Sequence, residues 1–316
     1  MTFSSGNGLK NRLLTAALFI PGAVFVLQLC LGSAAWALND RADKEQAVTA
    51  SVAIIIDDLG YKLKQDQRAV KLPGQVTLAF LPHTPHVRAL TETANSQGNE
   101  IMLHLPMQAL ETLYLGPGAL TSDMTEQEFK HSVAESIRSI PYVKGINNHM
   151  GSLITSQKDS MSWLMQEIVR TGLFFVDSRT TVETQAQQTA NEYRIANTRR
   201  NVFLDHERNR PAIEFQFNRL IKLAKKNGSA VAIGHPFSET LDVLEEKIPQ
   251  LRAAGIRLIP VSELIQQQHL LSQAKENLPH ANSLTLTHSQ KQMQNKKRKQ
   301  QSWQTSLSRS PRAVKN

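Results

Sequence analysis

Val52-Ala53-Ile54-Ile55-Ile56-Asp57-Asp58-Leu59-Gly60 opens the part of the chain that reads as folded. Five apolar residues run without alternation and stop at two acids and a glycine. A strand covered on both faces reads this way, because neither side needs polar residues. Similar short runs recur at 76–80, 101–103, 145–147, 173–176, 202–204, 230–233 and 257–259. Amphipathic stretches at 126–140, 160–170, 212–226 and 239–254 lie between them. Gly172 and Gly255 fall where helix C-caps belong, each just before a strand. Seven or eight such β-then-α units predict one α/β domain on a parallel sheet, open or closed into a barrel.

Outward from this domain the composition changes. Lys10 and Arg12 precede an apolar stretch, 13–31, and Ala35-Trp36-Ala37 has the small-x-small form of a cleavage site. That order predicts a signal peptide over 1–37, cleaved after Ala37, with a membrane anchor as the alternative because the run is nearly long enough to span a bilayer. Either places the domain outside the cytoplasm, in the periplasm or envelope. Residues 38–50 read as a linker, 51–266 as the domain, and 267–316 as a Gln-, Ser- and Lys-rich disordered tail. The net charge of +9 sits almost wholly in that tail, where nine lysines and arginines from Lys275 onward face the single acid Glu276. The domain is therefore close to neutral and no nucleic acid is expected on it. Membrane contact is expected only through the N-terminal segment or the tail. The single cysteine, Cys30, lies in the apolar run, which excludes a disulfide framework and a thiolate metal site from the domain.

Sites in parallel α/β folds collect beyond the C-terminal ends of the strands. The runs end in Asp57-Asp58, His104, Asn148-His149, Asp177-Ser178-Arg179, Asp205-His206 and Gly234-His235-Pro236. Six of eight strands thus end in an acid, a histidine or both, more than turn capping accounts for. Asp58, His104 and His149 offer a carboxylate and two imidazoles, a ligand set suited to catalytic zinc with one position open. Neighbouring side chains on a strand point oppositely, so Asp57 and Asp58 need not share a task. Asp177 and Arg179 read either as a surface pair or as support for the site, and Asp205-His206 equally as a polar turn. His83 and His86, flanked by Pro82 and Pro85, are weaker candidates. Trp163 reads as core. Two long loops, 106–123 and 180–197, have the length of functional loops.

Taken in order, Ile54–Gly60, the 102–107 segment Met-Leu-His-Leu-Pro-Met, Asn147-Asn148-His149-Met150-Gly151-Ser152, Phe175–Arg179, Val202–His206 and Ala232–Pro236 resemble the divergent polysaccharide deacetylases, relatives of the NodB-type carbohydrate esterases. The resemblance covers 52–265. It implies a distorted (β/α) barrel of the NodB type. It also implies that Asp57 is the catalytic base, Asp58 a metal ligand and His235 the general acid. NodB enzymes take both metal histidines from one His-x-x-x-His segment. This chain has none after its third strand, and His104 with His149 would replace it.

The function this implies is hydrolysis of an N-acetyl group on an envelope polysaccharide or peptidoglycan-type glycan, dependent on a divalent metal, zinc by preference. Asn148 and Arg179 join Asp177 as supporting or substrate-binding groups. Two alternatives use the same residues. A non-catalytic envelope protein would keep the metal and bind glycan, and a glycoside hydrolase would pair Asp57 with Asp177 or Asp205.

Overall fold

The opening run forms β1 (Ala50–Leu59), and the rest of the sheet is built on its two edges. In this computed structural model, which describes residues 50–277 and positions 48 and 296, every strand pairing is parallel. One edge of β1 takes β8 (Ser229–Gly234) along Ser51–Ile56. Its other edge is divided: β9 (Ile256–Leu258) pairs with Ala50–Val52, and β2 (Thr77–Phe80) pairs from Ile55 onward. Beyond β2 follow β3 (Glu100–Met107), β4 (Gly145–Met150), β5 (Phe174–Asp177) and β6 (Asn197–Arg199). On the far side β7 (Val202–Phe203) borders β8. The sheet is open between β6 and β7, but only Arg200 and Asn201 separate them in the chain. Arg200 N–H donates to Asp177 O and Asn201 N–H to Val231 O, so the chain itself carries the wall across the gap. This is the distorted single-domain (β/α) barrel that the resemblance implies.

Residues on alternate faces of each strand fall into two apolar clusters. Outward-facing Ile54, Ile56, Leu78, Phe80, Leu103 and Phe175 pack under the helices. Inward-facing Ala53, Ile55, Ala79, Met102, Phe174, Val176, Val231 and Ile233 fill the barrel. Both faces are apolar, which is why the strands show no alternation in sequence. The barrel floor is closed by helix α8 (Val261–Asn277), whose Val261, Leu264 and Ile265 join the inner cluster at helical spacing.

The other helices are α1 (Leu63–Val70), α2 (Val87–Ser96), α3 (Glu126–Ser139), α4 (Lys158–Thr171), α5 (Ala186–Glu192), α6 (Arg210–Asn227) and α7 (Ser238–Lys247). Thr125 and Glu128 form a capping box at the start of α3, and Asn209 caps α6 through the Ala212 N–H. Gly172 and Gly255 adopt the left-handed conformation at φ 69° and 73°, as their placement predicted. Trp163 packs edge-on against Phe129 beside the core.

Four expectations are corrected. β6 is a ninth strand, polar at Asn197-Thr198-Arg199 and therefore without an apolar signal. The loop expected over 180–197 contains α5. The helix expected over 239–254 ends at Lys247, and Pro249 lies in the first of two 3-10 turns that follow. The domain does not stop at Gln266: α8 continues to Asn277. Gln268 anchors this extension to Thr198 Oγ1 at 2.9 Å and Ser229 Oγ at 3.0 Å, and the residues beyond it are good helix formers. The segment read as signal peptide or anchor, its cleavage site, the linker up to residue 47 and the tail from 278 lie outside the described residues, apart from position 296. Among the described residues no helix is long and apolar enough to cross a membrane.

Gly145 opens the inward row of β4, and a Cβ there would meet the Phe174 ring at 2.2 Å. Gly145→Ala is therefore expected to cost about 1–3 kcal/mol through overpacking. Denaturant unfolding should register the loss, and adding Phe174→Leu should recover part of it.

Candidate metal and catalytic site

The inward rows that fill the barrel with apolar side chains turn polar at its C-terminal mouth. Above Ile55 stands Asp57, above Met102 His104, above Gly145 Asn147 and His149, above Val176 Ser178, and above Ile233 His235. Strand register sets Asn147 directly beside His104.

Asp58 departs from this pattern. It takes a left-handed conformation (φ 61°), and the β1–β2 register shifts between Ile56 and Leu59. Asp tolerates this conformation better than most residues. The bulge breaks the alternation, so both acids approach His104. Asp57 Oδ2 lies 3.6 Å from its Nδ1, and Asp58 Oδ1 lies 3.2 Å from its Nε2.

Asn147 decides the protons. Its Nδ2 donates to Asp57 Oδ1 at 2.8 Å, so its Oδ1 faces His104 Nδ1, 2.9 Å away. An amide oxygen only accepts, which places a proton on His104 Nδ1. The lone pair of neutral His104 is then on Nε2, 3.1 Å from His149 Nδ1. Asp58 Oδ1 lies 2.9 Å from His149 Nδ1, yet this buried oxygen has no contact of hydrogen-bond geometry. Three ligand atoms thus converge 2.9–3.2 Å apart. A tetrahedral ion with bonds of about 2.0–2.1 Å separates its ligands by roughly 3.4 Å. The two imidazoles and one carboxylate fit such an ion, and the orphaned oxygen gains a partner from it.

Asp57 and His104 are each only 2 % exposed. Burial pushes the Asp57 carboxyl up, against the charges of His104 and His235 and the Asn147 hydrogen bond. Burial acts on Asp58 in the same direction, but its contacts with His104 and His149 outweigh it and hold that carboxyl far below the usual range. His104 is disfavoured as a cation by burial, yet Asp57 and Asp58 raise it above an ordinary histidine.

His235 stands at the opposite wall. Its Nδ1 donates to Asp205 Oδ1 at 2.9 Å, and its backbone N–H donates to Asp205 Oδ2 at 2.6 Å. Thr240 Oγ1 also donates to Asp205 Oδ2. The other ring nitrogen, Nε2, lies 3.8 Å from Asp58 Oδ2. Burial lowers the affinity of His235 for a proton, but Asp205, then Asp58 and Asp57, more than reverse this and push it up to about 9.

A cleft of about 380 Å³ collects Asp57, His104, His149 and His235 with Asn148, Ser178, Arg179, Arg200, Phe203 and His206. Asp177 and Asp205 are absent from its lining. Asp177 accepts from Arg179 N–H and Thr184 Oγ1, stabilising the turn after β5. Asn148 spends its amide on Met150 O and Ser178 N–H, tying the ends of β4 and β5. Glycoside hydrolysis by Asp57 with either acid therefore lacks a second carboxylate in the cleft. His83 lies beside Gly118 and His86 precedes α2, both outside the cleft lining.

Sequence reading passed over Asn147 and left the role of Asp205 open. The signal for Asn147 was parity: it precedes His149 by two and so shares its face, whereas Asn148 does not. Asp205 needed the β7–β8 pairing, which no local pattern contains.

This barrel with an acid–histidine centre at its mouth defines the class: a parallel α/β barrel whose polar groups collect at the strand ends. The chain belongs to the divergent polysaccharide deacetylase family, whose sequence model matches residues 54–265. It is 37 % identical over 220 residues to the uncharacterized protein YibQ of Escherichia coli (strain K12), covering 70 % of this chain and 69 % of that one. An uncharacterized protein of Haemophilus influenzae is 35 % identical over 211 residues, covering 67 % of this chain and 72 % of that one. Among solved structures, an uncharacterized protein from Agrobacterium tumefaciens C58 superposes with a TM-score of 0.67 at 24 % identity, covering 69 % of this chain and 90 % of that one.

Asn147→Leu would strip partners from both buried Asp57 and buried His104. A loss of about 2–4 kcal/mol in unfolding free energy is expected. Asn147→Asp sets a second acid beside Asp57 and should be no better tolerated.

Proposed function

We propose that the protein is an exported, zinc-dependent deacetylase that hydrolyses an N-acetyl group on an envelope polysaccharide or peptidoglycan-type glycan. The observation that carries this reading is the convergence of Asp58 Oδ1, His104 Nε2 and His149 Nδ1 beside an acid held by Asn147, Asp57, and an imidazole held by Asp205, His235. A zinc ion held by the three would polarise the acetyl carbonyl and acidify a water. Asp57 lines the cleft, and its raised carboxyl is a better proton acceptor than an ordinary aspartate. Asn147 holds that carboxylate by Oδ1, leaving Oδ2 to take the water's proton. His235 is oriented by Asp205 and kept protonated at neutral pH, so it can protonate the departing amine. Met150, Phe203 and Ile233 line the same cleft and exclude bulk water from one side of the acetamide.

Two measurements test this. Purified protein should carry about one zinc per chain, with the metal lost in His104→Ala and in His149→Ala and retained in Asp57→Asn. Acetate release from peptidoglycan fragments or chito-oligosaccharides should fall about 10²–10⁴-fold in Asp57→Asn. Bound zinc with no acetate from any of these glycans, but glycan affinity retained in Asp57→Asn, would assign the fold to the non-catalytic alternative. Absence of both metal and turnover would sink the proposal.

A further inference from the structure

Two guanidinium groups in the cleft take no part in the proposed chemistry. Arg200 donates through Nε to Ser178 O at 2.6 Å and through Nη2 to Arg179 O at 2.8 Å. Its plane lies over the Phe203 ring, 5.0 Å from the centroid. That leaves Nη1 without a protein acceptor among the described residues. Asp177 and Asp57 are near enough to be felt by Arg200, yet neither forms an ion pair with it. Arg179 follows the β5 turn in a left-handed conformation (φ 49°), and among the described residues its guanidinium makes no hydrogen bond and no ion pair. The charge of Arg179 acts unfavourably on Arg200. Two like charges, one fixed by three contacts and one without a hydrogen bond or ion pair among the described residues, therefore share a wall of the cleft, and Asp177 is felt by both from behind that lining without pairing with either.

We propose that Arg179 and Arg200 form a subsite for a carboxylate carried by the glycan close to the acetamide that is cleaved. This rests on the deacetylase reading and narrows its substrate to acidic N-acetylated glycans. This pair suits a planar carboxylate, one oxygen accepting from the Arg179 guanidinium and the other from Arg200 Nη1. Such a group occurs as a ring carboxylate of a uronic acid or as an ether-linked lactyl carboxylate, and the chemistry at the subsite is the same for both.

Affinity of the full zinc-loaded chain, measured by calorimetry, separates these sources independently of turnover. One pair of probes is the N-acetylglucosaminyl-N-acetylmuramic acid disaccharide and its carboxyl-reduced alcohol. The other is a glucuronic acid–N-acetylglucosamine tetrasaccharide and its carboxyl-reduced form. In at least one pair the acid should bind about tenfold more tightly than its reduced counterpart at low salt, and that pair names the source. The preference should shrink with added salt. Arg179→Gln should bring it to about one, and Arg200→Lys, which keeps a charge but not the fork, should lower it. Equal binding within both pairs overturns the subsite, as does a preference that survives in both variants. A preference retained without acetate release would instead sink the deacetylase reading and leave the subsite standing.

Discussion

The amide of Asn147 can face only one way. As a carboxylate, Asp57 accepts and does not donate, so the NH₂ turns to it and the carbonyl turns to His104. Through that one orientation a carboxylate buried at the end of β1 fixes the tautomer of an imidazole two strands away. The lone pair so freed points to where Asp58 and His149 also point. The remaining geometry depends on these three side chains being buried together, since exposure would let water replace the amide and randomise the proton. Histidine ligands are commonly fixed in this way by the group behind them. Here Asn147, which stands behind His104, also holds Asp57, so one residue positions both the proposed ligand and the proposed proton acceptor.

Much of this was legible in the sequence because burial on both faces leaves apolar runs that cannot be mistaken for surface. The strand ends were legible for the same reason, since polar residues interrupting such runs stand out. Asp58, His104, His149 and His235 were found this way, and the structure gathers them at one mouth. Short polar elements were not legible: Asn197-Thr198-Arg199 pairs with β5 although nothing apolar marks it. Pairwise roles were likewise hidden. That Asp205 holds His235, and that Asp58 sits on a bulge turning it toward the same histidine as Asp57, follow from strand pairing and backbone twist.

The division of labour within each strand is economical. The same inward row supplies packing at its start and chemistry at its end, as β8 illustrates by passing from Val231 and Ile233 to His235. Rigidity at the site is thereby inherited from the core beneath it, and no separate scaffold is needed. The floor helix α8 contributes to this from below, by filling the barrel that the polar side chains of the mouth stand on.

The passage from β6 to β7 has a mechanical meaning. A hydrogen-bonded barrel resists widening through a whole ladder, whereas this one is joined at its seam by two peptide units, those of Arg200 and Asn201. They act as a clasp on a hoop: the girth of the mouth is set where the N–H of one residue reaches back to β5 and that of the next reaches forward to β8. The Arg200 guanidinium, bonded to the carbonyls of Ser178 and Arg179, is a second fastening at the same point. The circumference of the barrel and one wall of its cleft thus meet at Arg200, the first through its peptide and the second through its guanidinium.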